Sequence, residues 1–412
     1  MLVEFSVENY KSIKERQTLS MVAGNGCIET GFKGAPNLNE IAAIYGPNGS
    51  GKSNLIEAMD FFREFVFNSH KLQPDEKIQD VVPFLFSKKT KEQPSTFEVA
   101  FVHDDFLFQY GFSLDSKKIY EEWLYATPKG RSKEKTQNWL KRDLASIKSP
   151  AKKIPASFSK DFDIKKCENQ LFLSIAANRR LDDFEIAFAW FNHNIRIIDN
   201  PENLSPNFTI KQIMENGKKP QIMKMMKGLD LSFDDVQIVE KEFVESDLPK
   251  DMPESIKQEV IKSLTGKKGF ELFGLHKVDG GDFYPLPFRD ESEGTQKLFE
   301  FSAPILDVLE NGYTLVVDEI EKSLHPIALK GIISLFRNVV TNPKNAQLIF
   351  TTHNTSVMNN LDREQIWLLD KGKFGETVFT ALSEFKDKPD APLEKRYLGG
   401  RYGALPNIGD IL

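Results

Sequence analysis

Eight consecutive residues, Gly46-Pro47-Asn48-Gly49-Ser50-Gly51-Lys52-Ser53, carry the chemistry that the rest of the 412-residue chain must position. They fit the pattern Gly-x4-Gly-Lys-Ser, a loop whose glycines let backbone N–H groups curl around phosphate oxygens. A helix opening directly after such a loop adds the partial positive charge of its N-terminus. Lys52 can then reach the β- and γ-phosphates and the Ser53 hydroxyl can ligate a divalent cation. A nucleotide and Mg2+ are the expected ligands, with Asn48, Gly49, Ser50, Gly51, Lys52, Ser53 and Asn54 as the binding set. The alternative is a glycine-rich turn that binds nothing. The flanks argue against it, because Ile41–Tyr45 is apolar enough for a buried parallel strand and Asn54–Phe62 has apolar residues at helical spacing.

Two further apolar runs end in residues that could act on a bound nucleotide. Tyr313–Val317 ends in Asp318-Glu319, and Gln347–Thr352 ends in His353. Asp318 is placed to hold magnesium through water, Glu319 to polarise an attacking water, and His353 to complete the catalytic set. Taken singly each signal is weak, since a lone histidine is more often structural than catalytic. Their order behind a full P-loop is what gives them weight. Ahead of both runs, Ser292-Glu293-Gly294-Thr295-Gln296 opens an expected helix to about Leu309.

These residues need elements to hold them, and the length and composition allow several. The chain has room for two or three domains, and its 40% hydrophobic and 28% charged residues are ordinary for a globular protein. Net charge is −6 and the pI about 5.7, so any nucleic-acid surface must be local. Cys27 and Cys167 are the two cysteines, too few for a disulfide framework or a cysteine-rich zinc site. No apolar run approaches a membrane span and no secretory hydrophobic region opens the chain, which gives a cytoplasmic expectation.

Along the chain, alternation over residues 1–10 predicts a half-buried strand ahead of the P-loop strand, with another near Gln17–Val22. Thr96–Val102 and Phe106–Phe112 read as a hairpin across His103-Asp104-Asp105. The 33 phenylalanines sit mostly at core spacing, which favours packing over base stacking. Residues 128–166 differ, with twelve Lys or Arg against four Asp or Glu and with Trp139 and Phe158 interspersed. That segment is either a contact to phosphate backbone or an acidic partner, or a solvated arm. From Leu171 to Lys227 the pattern is helical, with Met214, Met223, Met225 and Met226 expected in core or a subunit contact. Residues 230–254 then turn acidic.

The order P-loop, Ser-x-Gly-x-Gln helix start, Asp-Glu strand end and His strand end resembles an ABC-type ATPase head of the SMC, Rad50 and RecF side. More narrowly the chain resembles the AAA15 family of ATPases, which includes the RloA and abortive-infection proteins of bacterial phage defence. The residues that carry this are Phe5-Ser6-Val7-Glu8-Asn9-Tyr10-Lys11-Ser12, the P-loop, Ser323-Leu324-His325-Pro326, and Tyr397-Leu398-Gly399-Gly400-Arg401-Tyr402-Gly403-Ala404-Leu405-Pro406. The chain departs from the usual signature in carrying Glu293 for its first glycine.

The resemblance implies an α/β fold, an ABC-type P-loop ATPase head with a mixed sheet and a predominantly helical insertion. Its parts would be residues 1–115 with the P-loop, an insertion over 116–265, and 266–412 with the signature, the Asp-Glu strand and the histidine. It further implies that Ser292 and Gly294 of one protomer close over ATP held by another, so a homodimer or higher homo-oligomer is expected. The function implied is that of a sensor subunit of an anti-phage system controlling a separate effector, a nuclease or toxin. The alternative is a RecF- or SMC-like DNA repair or recombination ATPase that binds DNA. The residues after His353 are too few for a fused nuclease domain, and no membrane partner is expected.

Overall fold

The computed structural model describes residues 1–24, 26–32, 35–130, 135–161, 163–229, 233–242, 257–258, 268–322, 324–388 and 391–406. The chain divides into two compact units: Met1–Asn203 with Asp307–Lys322 and Leu329–Leu412, and Leu204–Leu306 with Ser323–Ala328.

The first unit holds a parallel sheet that positions the P-loop. Its strands are β5 (Ile41–Tyr45), β11 (Ile195–Ile198), β15 (Thr314–Val317), β16 (Gln347–Thr351), β17 (Ile366–Lys371) and β18 (Thr377–Ala381), in the order β11-β15-β16-β5-β17-β18. All neighbours are parallel except the β17–β18 hairpin. Every residue of β5, β15 and β16 is buried, as continuous apolar runs covered on both faces should be. After β5 the chain turns through the P-loop into helix α1 (Lys52–Asn68), which buries Leu55, Ile56, Met59, Phe62 and Val66 at helical spacing.

A second, antiparallel sheet lies in the same unit, in the order β10-β9-β8-β7-β6-β1-β2. Its strands are β1 (Leu2–Glu8), β2 (Gln17–Ser20), β6 (Ser95–His103), β7 (Phe106–Leu114), β8 (Ile119–Pro128), β9 (Gln137–Arg142) and β10 (Ile147–Lys148). The hairpin expected across 103–105 is β6–β7. A short pair, β3 (Val22–Ala23) with β4 (Asn37–Leu38), joins the two sheets in sequence. Phenylalanines 5, 62, 97, 101, 108 and 112 are at most 3% exposed, and rings such as Phe62 and Phe112 stack at 4.8 Å. The abundant phenylalanine is chiefly core, as its spacing predicts.

The insertion is helical only in part. Phe172–Asn178, Asp182–Ala189, Asn207–Asn216 and Lys219–Gly228 are helices, with Met223 and Met226 buried and Met214 exposed. Ile119–Pro128, Gln137–Arg142 and Ile147–Lys148, however, are strands of the antiparallel sheet, and Ile195–Ile198 is the edge strand of the parallel sheet. The reason in the first stretch is a buried charge tie. Glu122 and Arg142, on neighbouring β8 and β9, are 0% and 2% exposed and face each other at 3.3 Å. Glu122 also accepts from the Tyr110 hydroxyl at 2.9 Å and from the Phe172 and Leu173 N–H groups at 2.7 and 2.9 Å, capping the helix that follows. Arg142 also donates to the Gln170 and Cys167 carbonyls at 2.5 and 2.7 Å, while its Nε is buried without a hydrogen-bond partner.

Trp139 and Phe158 are structural too. Trp139 is fully buried with Lys153 over its ring at 4.7 Å, and Phe158 packs edge-on to Phe172. Arg131, Lys133 and Glu134 lie outside the described residues, as does most of the acidic stretch 230–254.

The second unit contains the antiparallel sheet β12 (Asp235–Glu242), β13 (Lys268–Lys277) and β14 (Phe283–Pro287), together with helices Asn207–Asn216 and Lys219–Gly228. The helix expected from the Ser-x-Gly-x-Gln start spans Glu293–Asn311 and begins in this unit. Among the described residues no helix is long and apolar enough to cross a membrane.

Candidate functional site

The P-loop joins β5 to α1 and is shaped by contacts from distant parts of the first unit. Gly51 has φ 99°, left-handed backbone that side chains disfavour, and a Cβ there would come within 2.0 Å of Thr377 Oγ1 and 2.8 Å of Ser12 Oγ. Those two hydroxyls bond each other at 2.7 Å, and Asn54 Nδ2 donates to Ser12 Oγ at 2.6 Å. The loop's glycine is therefore dictated by a brace of Ser12, Asn54 and Thr377, residues 365 positions apart at the extremes. Lys52 is 6% exposed and folds over the loop, donating to the Gly46 and Pro47 carbonyls at 2.8 and 3.3 Å. Ser50 Oγ is buried without a hydrogen-bond partner, while Ser53 is exposed at the first turn of α1. An orphaned hydroxyl and an ammonium resting on loop carbonyls suit a cradle shaped for anionic oxygens.

Three carboxylates act on the charge of this lysine. Burial lowers the Lys52 pKa, and Asp318, Glu319 and Glu321 oppose that shift in that order. Asp318 follows directly on β15, is 7% exposed, and accepts a hydrogen bond from Thr351 Oγ1 on neighbouring β16. The same hydroxyl accepts from the Glu319 N–H at 2.7 Å, so one side chain fixes both carboxylate-bearing residues. Glu319 has φ 48°, left-handed for a residue with a Cβ. Its Oε2 lies 2.9 Å from Lys322 Nζ, whose hydrogen bond chiefly holds the Glu319 carboxyl below its usual range, with His353 and Lys52 adding smaller attractions. His353 is exposed just past β16, and its N–H donates to Glu321 Oε1 at 2.5 Å. The structure thus brings Lys52, Asp318, Glu319 and His353 together at the carboxyl ends of adjoining strands, where α/β sheets bind ligands.

Ser292 and Gly294 belong to the second unit. Ser292 Oγ accepts from the Thr295 N–H at 3.2 Å, an N-cap for Glu293–Asn311. Gln296 Nε2 donates to the Glu291 and Arg289 carbonyls at 2.9 and 3.3 Å. Ser292 and Glu293 are exposed. A cavity of about 150 Å³ is lined by Ser292, Gly294, Thr295, Leu298, Leu324 and His325, so the first turn of the helix and the Leu-His-Pro stretch share one recess; Ser323 lies outside the described residues.

The closing motif braces the strand that feeds the P-loop. Tyr397 lies 5.9 Å ring to ring from Tyr45, the last residue of β5, and donates to the Ala404 carbonyl at 2.8 Å. The Ala404 N–H in turn reaches Asp370 Oδ2 on β17 at 2.9 Å. The Tyr402 hydroxyl, with Arg401 and Arg396, holds the Asp387 carboxyl well below its usual range.

Sequence reasoning missed Thr351, Lys322 and Thr377, and gave Ser12 no role. Only Thr351 carries a usable signal, a hydroxyl at the end of an apolar strand two positions before the histidine.

Residues 41–359 match the profile of a family described as "AAA domain, putative AbiEii toxin, Type IV TA system". The chain belongs to that family. The match spans the P-loop, the Asp318-Glu319 strand end and His353, and it identifies an ATPase of the AAA-domain type; the α/β fold with mixed sheets agrees with it. No curated protein has a matching sequence. Among solved structures the chain is similar to the SMC head domain from Thermotoga maritima, at 13% identity and TM-score 0.41, covering 92% of this chain and 98% of that one. It is also similar to the recombination mediator protein RecF with ATP, at 12% identity and TM-score 0.37, covering 86% of this chain and 94% of that one.

Proposed function

We propose that the chain is an ATP-hydrolysing ABC-type head that closes as a homodimer, or a higher homo-oligomer, around ATP and magnesium. In this reading it is the sensor subunit of an anti-phage system and controls a separate effector, a nuclease or toxin. The observation that carries the catalytic part is the placing of Lys52, Asp318, Glu319 and His353 beyond the carboxyl ends of β5, β15 and β16 in one parallel sheet. The family's toxin–antitoxin description supports the defence setting.

Asn48 through Asn54 would cradle the phosphates, with Lys52 leaving the Gly46 and Pro47 carbonyls for the β- and γ-oxygens. Ser53 and Asp318 would hold magnesium, a cation that suits one carboxylate, one hydroxyl, phosphate oxygens and water. Bound magnesium supplies neutralisation of the charge that develops on those oxygens. Glu319 would orient and polarise the attacking water, and His353 would sit beside the γ-phosphate. Ser292, Gly294 and the N-terminus of their helix would come from the facing protomer. ATP then joins two heads and hydrolysis releases them. The functional division proposed is chemistry in residues 1–115 and 266–412 and partner reading in 116–265.

The test is complementation. Ser292→Arg should abolish turnover alone, and so should Lys52→Ala. Mixed at equal amounts they should recover about a quarter of wild-type turnover if protomers pair at random in a twofold dimer. No recovery at any ratio would mean that signature and P-loop do not meet across an interface.

A second reading, a RecF- or SMC-like DNA repair ATPase, draws on Lys129, Lys135, Lys141, Lys148, Lys152, Lys165 and Lys166, all exposed. With Trp139 and Phe158 taken up in packing, such a contact would be to backbone phosphate, without base stacking.

A further inference from the structure

We propose that Lys322 is a positioning residue that holds Glu319 in an idle setting, and that Glu202 competes with Glu319 for it. The inference rests on the reading of Glu319 as the group that polarises water. Lys322 Nζ stands 2.9 Å from Glu319 Oε2 and 3.3 Å from Glu202 Oε1, so one ammonium is shared by two carboxylates within the first unit.

The backbone under Glu319 is already fixed. Its N–H is tied to Thr351 Oγ1 at 2.7 Å and its φ is 48°. The side chain keeps its freedom, and Lys322 directs it. A carboxylate oxygen engaged by an ammonium is a weaker base and is turned away from a water it would otherwise orient. The restraint is also light. The side chains of Glu319 and Lys322 are 32% and 36% exposed and that of Glu202 is 61% exposed. Pairs this wet are worth about 0.2–1 kcal/mol, small enough to exchange during a catalytic cycle.

The position of the three residues gives the exchange a use. Glu202 lies in the turn Pro201–Asn203 directly after β11, and Asn203 is where the chain first leaves the unit. Lys322 is the last residue before the chain leaves it again. A shift at either exit that draws Lys322 toward Glu202 frees Glu319, and a shift the other way tightens its hold. Residues with no part in phosphate binding would in this way set the rate of hydrolysis.

Competition predicts opposite signs for two substitutions of neighbours. In steady-state ATPase measurements on the full chain, Lys322→Met should raise kcat about two- to fivefold with KM for ATP unchanged. Glu202→Gln should lower kcat by a similar factor, because Lys322 then belongs to Glu319 alone. The double variant should behave as Lys322→Met, and Lys322→Arg, which keeps the charge, should keep most of the restraint. A purely structural role would move both single variants the same way. An unchanged or lower kcat in Lys322→Met, or a higher one in Glu202→Gln, overturns the inference; the exposed Glu202 variant remains decisive should Lys322→Met fail to fold. Glu319→Gln run alongside separates the two readings. If it turns over like wild type, the assignment of Glu319 itself fails; if it is inactive while Lys322→Met is unchanged, only the restraint does.

Discussion

Two carboxylate–cation pairs in the first unit show how setting decides what an ion pair is for. Glu122 and Arg142 are almost wholly buried, Glu122 accepting further hydrogen bonds from helix N–H groups and a tyrosine and Arg142 donating to two loop carbonyls. Glu319 and Lys322 are about a third exposed, and the lysine is shared with Glu202. The first pair cannot open without stranding a charge in the core, so it fixes the sheet to the helix after it. The second can exchange partners in water at little cost, so it suits a residue that has to move. Both lie in stretches rich in charge, and sequence alone gives no means of telling them apart.

The sharpest way to break this contrast is to remove one partner from each pair. Arg142→Leu leaves Glu122 buried and uncompensated, which typically costs about 3–5 kcal/mol. Lys322→Met should change stability by less than about 1 kcal/mol. Denaturant midpoints of the two variants, measured side by side, check this. A cost for Arg142→Leu no larger than that for Lys322→Met would mean that the two pairs do not differ in kind.

Next in size is the effect on turnover. Glu319→Gln should keep ATP binding and lose about 10²-fold in kcat, the usual scale for removing general-base help, equivalent to about 2.7 kcal/mol. Lys52→Ala should lose nucleotide binding itself. Fluorescent-nucleotide titration beside single-turnover hydrolysis separates the two. Binding lost in Glu319→Gln would place that carboxylate in the cradle, away from the chemistry.

Much of the site was legible because its signals are contiguous. A P-loop is eight adjacent residues, and apolar strands ending in Asp318-Glu319 or His353 announce their own boundaries. Strands β5, β15 and β16 of the parallel sheet followed from such runs; β17 and β18 did not, nor did β11, where Ile195-Arg196-Ile197-Ile198 stands amid helical periodicity and a four-residue apolar run does not distinguish strand from helix. The Ser12–Thr377 brace was not legible, since no local pattern links residues 365 apart. Nor was the burial of Arg142. In sequence it is one of twelve cations in a basic stretch, and only the register of β8 against β9 sets it opposite Glu122. Trp139 enters the core where that register breaks, between Leu124 and Tyr125, so an aromatic interleaved with lysines, which suggests base stacking on paper, is a packing residue.

The smallest expected effect on ATPase activity comes from the remaining lysines of that stretch, and it sharpens the comparison from the exposed side. With Arg142 and Trp139 assigned to structure, the segment's exposed positions include Lys129, Lys135, Lys141 and Lys148. Lys141 and Lys148 are directly paired across β9 and β10, and β10 is the outer strand of its sheet. Like charges in register repel, and lysines on an edge strand deter pairing with another chain, so edge protection alone could account for them. A partner contact makes a further demand. Changing all four lysines to glutamine should leave basal ATPase activity within a few-fold while weakening binding to duplex DNA or an acidic partner. If the partner is DNA, log affinity should fall linearly with log salt, and the slope should shrink by roughly 0.9 for each phosphate that the variant no longer neutralises. Unaltered binding and slope in the quadruple variant would leave these lysines as edge guards, and the functional charge of the region would then be confined to the buried pair.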